Sequence, residues 1–184
     1  MKKLQREKAL ALRRAMDREE REKLSSAICE KILALPELEG AKTVLSYLAA
    51  WDEVDLSYVN QTLAAQGLRI AYPVCFEKGH MEAYIPDDED AVEEGAYGIK
   101  APVIARSRPI EPQDIDLVLV PCVAFDEERN RLGHGAGYYD RYLPRCPRAK
   151  FILAAFEVQR MDRLDCKVYD VKLDIVVTEN AVLR

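Results

Sequence analysis

The sequence predicts an α/β fold: a single three-layer domain over residues 1–184, with a mostly parallel central sheet flanked by helices. Three observations carry this expectation. Segments of helical and strand period alternate along the chain. The run Leu117-Val118-Leu119-Val120 is wholly apolar, which suits a strand covered on both faces. A length of 184 residues is enough for one compact domain and leaves little room for two.

Two N-terminal helices are expected over about residues 2–35, and an α/β core over about 42–184. Leu24, Ala27, Ile28, Ile32 and Leu35 recur at helical spacing and form an apolar stripe. Asp17 followed by Glu20 reads as a capping pair that starts the second helix, and Pro36 stops it. Residues 43–48 then read as a strand. Asp55 caps a helix with the face Leu56, Val59, Leu63 and Ala64, which ends near Gly67. Residues 68–72 form the next strand, so this strand–helix–strand unit predicts parallel pairing. Residues 80–85 are expected at a sheet edge, and the acidic stretch 87–95 as an exposed loop. Residues 115–121 are the central strand, 138–143 a helix, and 150–156 and 173–178 two further strands.

Composition excludes several classes of function. The longest apolar runs are strand-sized, so no transmembrane helix is expected. The chain opens Met1-Lys2-Lys3-Leu4-Gln5-Arg6 and stays charged, so no secretory signal is expected either. The five cysteines, Cys29, Cys75, Cys122, Cys146 and Cys166, are widely spaced and include no C-x-x-C pair. They read as reduced apolar residues of a cytoplasmic protein, with no thiol favoured as a nucleophile. A net charge of −5 argues against a nucleic-acid binder. The expected partners are small molecules, and the expected state is a monomer or weak homo-oligomer.

Charge is unevenly spread. Residues 2–23 hold nine basic and five acidic side chains, and residues 129–148 hold five arginines against Asp140 alone. Residues 82–94 hold seven acids and no base. Two basic segments in an acidic chain suit a small anion where they meet, although taken singly most such charges are solvated helix faces.

The chemistry is expected just beyond the central strand. Arg131-Leu132-Gly133-His134-Gly135-Ala136-Gly137-Tyr138-Tyr139-Asp140-Arg141 places three alternating glycines before a helix-like run. Glycine admits positive φ and close approach of a ligand, and a helix N-terminus adds unpaired N–H groups. Two flanking arginines make the loop a candidate phosphate cradle. Glycine triplets also occur as plain turn punctuation, and this spacing is neither a P-loop nor a dinucleotide-binding fingerprint.

This stretch, preceded by Val120-Pro121-Cys122-Val123-Ala124-Phe125-Asp126, resembles the 5-formyltetrahydrofolate cyclo-ligase family. The resemblance covers nearly the whole chain. Lys3 and Arg6 stand in the family's N-terminal basic motif, and Trp51-Asp52-Glu53-Val54-Asp55 in its E-V-D segment. Tyr97-Gly98-Ile99 stands in its middle motif, and Asp170-Val171-Lys172-Leu173-Asp174 in its C-terminal one.

The resemblance implies closure of 5-formyltetrahydrofolate to 5,10-methenyltetrahydrofolate, with ATP as co-substrate and Mg²⁺ as cofactor. It implies ATP binding by Lys3, Arg6, Arg131, Leu132, Gly133, His134, Gly135, Ala136, Gly137, Tyr138 and Tyr139, with Arg131 as the catalytic cation. Lys2 is the alternative match to the family's lysine. The folate would contact Glu53, Trp51, Tyr97 and the loop His134-Gly135-Ala136-Gly137-Tyr138, and Asp140 and Asp170 match the magnesium-associated acids. Taken singly, Arg131 would equally suit a surface ion pair, and Asp140 a first-turn helix acid. Departures from the family pattern are Lys100-Ala101 before Pro102, Cys122 after Pro121, and Ala136 inside the loop. They keep two rivals in view: an ATP-dependent enzyme acting on another amide-like substrate, and a non-catalytic folate- or nucleotide-binding regulator.

Overall fold

The computed structural model describes residues 1–95, 98–168 and 170–184. Two helices come first, α1 (Lys2–Ala15) and α2 (Arg18–Leu33). Asp17 caps α2 by accepting the Glu20 N–H at 2.8 Å, as the capping pair predicts. A strand–helix–strand unit follows: β1 (Thr43–Leu45), α3 (Ser57–Ala65) and β2 (Arg69–Cys75). β1 and β2 pair in parallel. Asp55 is not the cap expected of it: Leu56 takes the N-cap position without a side-chain bond, and the Asp55 carboxylate accepts the Ser57 N–H at 2.9 Å in the turn just before α3.

The next segment departs from expectation. β3 (Met81–Pro86) is not an edge strand: it lies between β2 and β6 (Ser107–Ile110), antiparallel to both. β6 takes the edge, where the missing N–H of Pro109 is tolerated. The expected loop 87–95 contains β4 (Val92–Glu94), which forms a small hairpin with β5 (Lys100–Pro102).

β7 (Leu117–Val120) is buried at all four positions and lies inside the eight-stranded sheet. It leads into a short hairpin, β8 (Ala124–Phe125) and β9 (Arg131–Leu132), and then into α4 (Tyr138–Tyr142). β10 (Lys150–Ala154), β11 (Ile175–Val177) and β12 (Val182–Leu183) complete the chain. The sheet order is β12-β11-β10-β7-β1-β2-β3-β6, and the five strands from β11 to β2 are parallel.

Two apolar layers cover the sheet. Ile28 and Ile32 of α2 and Val59 and Leu63 of α3 pack on Val44, Leu117, Leu119, Ile152 and Ile175. On the opposite face Tyr142, Leu143 and Cys146 meet Leu45, Val118, Val120, Leu153 and Val176. This is the expected α/β three-layer arrangement. α1 differs: Ala9 packs with Val123, Ala124 and Leu132, so this helix covers the β8–β9 hairpin. Among the described residues no helix is long and apolar enough to cross a membrane.

This topology dictates where a ligand fits. β1 connects to β2 on one side, while β7 connects to β10 on the other, so the order in which strands are added reverses between the parallel neighbours β1 and β7. In open parallel sheets the crevice beyond the strand ends at such a switch point is where ligands bind. The segments leaving β1 and β7 carry Glu53 and Arg131, respectively.

Candidate active site

Arg131 reaches the end of β7, beside the switch point. Its side chain is 5% exposed and donates from Nη2 to Asp140 Oδ1 at 3.0 Å and from Nη1 to the Pro121 carbonyl at 3.3 Å. Its Nε is buried without a hydrogen-bond partner. The guanidinium also lies 5.3 Å from the Tyr139 ring centroid. Tyr139 carries a second buried and unpartnered polar atom, its hydroxyl. Burial, opposed by the Arg131 charge, holds that hydroxyl well above the ordinary phenol range. Buried polar atoms are nearly always satisfied, and among the described residues these two are among six that are not.

The loop between β9 and α4 approaches α1. Arg6 donates from Nε to the Gly133 carbonyl at 2.7 Å, and its guanidinium lies against Gly135. Gly135 and Gly137 have φ of 111° and 72°, which a side chain would strain. The Leu132 side chain is buried with Ala9 and Val123, so only its backbone borders the loop. Tyr138 donates its hydroxyl to the Phe76 carbonyl at 3.1 Å, and Arg141 donates to the carbonyls of Gly79 and Ala136. These bonds tie the loop to the turn after β2. α4 is a short helix of five residues, matching all but the last of the six positions expected to be helical. The positive potential of the loop therefore comes from its guanidinium groups, with little from a helix dipole.

The N-terminal lysines are separated by their place on α1. Lys3 points outward, 91% exposed and 3.9 Å from Glu7, so the structure does not bring it to the loop. Lys2 faces inward and binds Asp170 Oδ2 at 2.6 Å. Partial burial pulls the Asp170 carboxyl upward. The Lys2 hydrogen bond, the Lys167 N–H and the charges of Lys2 and Arg131 outweigh it and leave the group below the ordinary range.

Glu53 closes the other side. Its Oε2 accepts the Ala50 N–H at 3.0 Å, and its Oε1 lies 3.8 Å from His134 Nε2. The loops after β1 and β9 therefore face each other through these two side chains. Trp51 is 68% exposed, with the Arg21 guanidinium 5.4 Å from its ring centroid. Tyr97 lies outside the described residues.

Residue reasoning missed a buried cluster behind the crevice. Arg13 binds Asp52 and the Cys122 carbonyl, and Gln159 donates to the same carbonyl at 2.9 Å. The signal was present in α1: Lys2, Arg6, Ala9 and Arg13 follow one helical face, and Lys3 does not. The cysteines are all free, and burial pushes the Cys122 thiol up to about 12, so it is no nucleophile at neutral pH.

The chain is similar to known proteins over nearly its whole length. Residues 1–179 match the model of the 5-formyltetrahydrofolate cyclo-ligase family. A 5-formyltetrahydrofolate cyclo-ligase of Haemophilus influenzae is 30% identical over 158 residues, covering 82% of this chain and 83% of that protein. The Mus musculus cyclo-ligase is 27% identical over 179 residues, covering 91% and 88%. The solution structure of Aquifex aeolicus 5,10-methenyltetrahydrofolate synthetase superposes with a TM-score of 0.86 at 33% identity, covering 100% of this chain and 92% of that one.

Proposed function

The chain belongs to the 5-formyltetrahydrofolate cyclo-ligase family, and from that premise we propose how its own residues carry the reaction. The activity is ATP-dependent closure of 5-formyltetrahydrofolate to 5,10-methenyltetrahydrofolate, with release of ADP and phosphate. The formyl group is an amide, and its oxygen is a poor leaving group. Transfer of the γ-phosphoryl to that oxygen makes an activated imidate; N10 then attacks the formyl carbon, and phosphate departs. The protein has to align two ligands and stabilise charge on the moving phosphoryl. No protein nucleophile is needed.

Arg131 is the residue we assign to that charge. Its fork matches two phosphate oxygens, and its orphaned Nε supplies a donor the free protein leaves unused. Lys2 and Arg6 add cations from α1, so the role expected of Lys3 falls to Lys2. The backbone from Leu132 to Tyr139 cradles the nucleotide, and the Tyr139 hydroxyl is a further donor. Glu53, with His134 opposite, takes the adjacent N–H groups of the pterin, for which a carboxylate is the matching acceptor. The exposed ring of Trp51 supplies a stacking face.

Magnesium fits the donor set. Among the described residues no three acids, histidines or cysteines gather to hold a metal unaided. Asp140 and Asp170 instead stand singly beside Arg131 and Lys2, which suits an ion carried largely by phosphate oxygens and water. These two carboxylates would hold it, and the bound ion neutralises phosphate charge. In this reading residues 1–184 form one domain that works in the cytoplasm as a monomer or weak homo-oligomer. Five widely spaced cysteines without a C-x-x-C pair support a reducing compartment.

The unpartnered Arg131 Nε beside the Gly-rich loop is the observation that carries the site assignment. Mixing the protein with ATP, Mg²⁺ and 5-formyltetrahydrofolate should raise methenyl absorbance with one phosphate released per product, and absence of methenyl product refutes the reading.

A further inference from the structure

We propose that Arg13 is a positioning residue: it clamps the two loops that carry Glu53 and Arg131, and so sets the folate-side carboxylate against the Gly-rich loop. This rests on the reading that Glu53 contacts the folate.

The clamp is buried and fully directional. The Arg13 side chain is 2% exposed, and that of Asp52 is 5% exposed. Arg13 Nε and Nη2 donate to Asp52 Oδ2 at 3.2 and 3.0 Å, and Nη1 donates to the Cys122 carbonyl at 3.0 Å. Each partner adjoins a site residue. Asp52 directly precedes Glu53, whose turn is closed by reciprocal 3.0 Å bonds with Ala50. Cys122 directly follows Pro121, whose carbonyl receives Arg131 Nη1. One guanidinium therefore spans both walls of the crevice without touching it.

A mere packing role explains this poorly. Burying two charges is costly, and apolar residues of similar volume commonly stabilise a core as well or better. What the charged pair adds is direction: a planar fork fixes the carboxylate and the carbonyl at set angles. Gln159 holds the Cys122 carbonyl from another side, so the β7 wall is already fixed. In the loop after β1 the Tyr47 hydroxyl and Ser25 hold the backbone at Val54 and Asp55, while Asp52 itself is held by Arg13, with Arg14 adding a 3.4 Å contact to the same oxygen from the rim. α1 also carries Lys2 and Arg6, so the helix that binds the nucleotide loop holds the Glu53 loop through its last turn.

The test separates positioning from stability. Arg13→Lys and Asp52→Asn should raise the folate KM about 10-fold or more, with the ATP KM within about 2-fold. Because either variant leaves a buried charge poorly paired and so lowers stability, the double variant Arg13→Met with Asp52→Leu replaces the pair by apolar groups. It should keep a wild-type melting temperature, yet show the same rise in folate KM. The chain has one tryptophan, Trp51, next to Asp52, so its emission and acrylamide quenching report loop placement directly and should change in the double variant. A folded double variant with wild-type folate KM and wild-type Trp51 quenching would overturn the proposal. So would an equal rise in both KM values. Wild-type protein that turned over no folate would remove the reading beneath it; active wild type with unchanged folded variants would remove the positioning role alone.

Discussion

Arg131 and Asp140 are joined by a 3.0 Å ion pair in which the guanidinium is almost fully buried and keeps one N–H without an acceptor. An unpaired buried donor costs about 1–3 kcal/mol, and a phosphate oxygen would recover that cost. Arg131→Ala should therefore lower turnover about 100-fold or more, measured by methenyl absorbance. Arg131→Lys should lose less, because it keeps the charge without the fork. Near-normal turnover in the alanine variant would remove Arg131 from the reacting phosphoryl.

Lys2 and Lys3 are adjacent in sequence, yet Lys2 is paired inward with Asp170 while Lys3 points outward. Lys2→Ala should raise the ATP KM about 10-fold, whereas Lys3→Ala should stay within about 2-fold. Equal effects from the two would contradict the helix-face argument. The Lys2–Asp170 pair also predicts a pH signature. Asp170 has a lowered pKa when folded, so its contribution to stability is present above the ordinary aspartate value of about 4. That contribution is lost as the pH falls through the lowered value. The melting temperatures of wild type and Lys2→Ala should therefore converge on acidification, and a constant gap would contradict it.

Glu53→Gln keeps the shape of the side chain and removes the charge. It should raise the folate KM several-fold while leaving the ATP KM nearly unchanged, as steady-state kinetics with each substrate varied would show. An effect confined to ATP would remove Glu53 from the folate side.

Gly79 has a φ of 74°, and a Cβ there would overlap the Arg141 guanidinium and lie 2.9 Å from the Ala136 carbonyl. Gly79→Ala should cost about 1–3 kcal/mol in stability, read from denaturant unfolding. It should also raise the ATP KM, because Arg141 holds the Gly-rich loop at that turn. An alanine variant as stable as wild type would show that the turn relaxes freely.

Local physics made much of this legible in the sequence. The Asp17 cap, the parallel β1–α3–β2 unit and the apolar β7 each follow from short-range pattern, and the structure has all three. The Gly-rich loop was visible because three glycines and two arginines crowd one short segment. β6 was hidden by Pro109, which reads as a strand breaker yet sits at an edge where no N–H is required. The β8–β9 hairpin has strands of two residues each, too short for any period to register. Arg13 and Asp52 are far apart in sequence, and no local pattern announces an ion pair that only the packing of α1 creates. Along the chain the basic motif fits Lys3 as readily as Lys2; the helical face defined by buried Ala9 selects Lys2.

The most direct test is a crystal structure of the protein with a non-hydrolysable ATP analogue. The triphosphate should lie against residues 133–137, with Arg131 Nε and Nη groups on its oxygens and Lys2 and Arg6 alongside. Phosphates bound instead among Lys78, Arg141 and Arg145, in the roughly 310 Å³ cavity on the other side of the turn after β2, would contradict it.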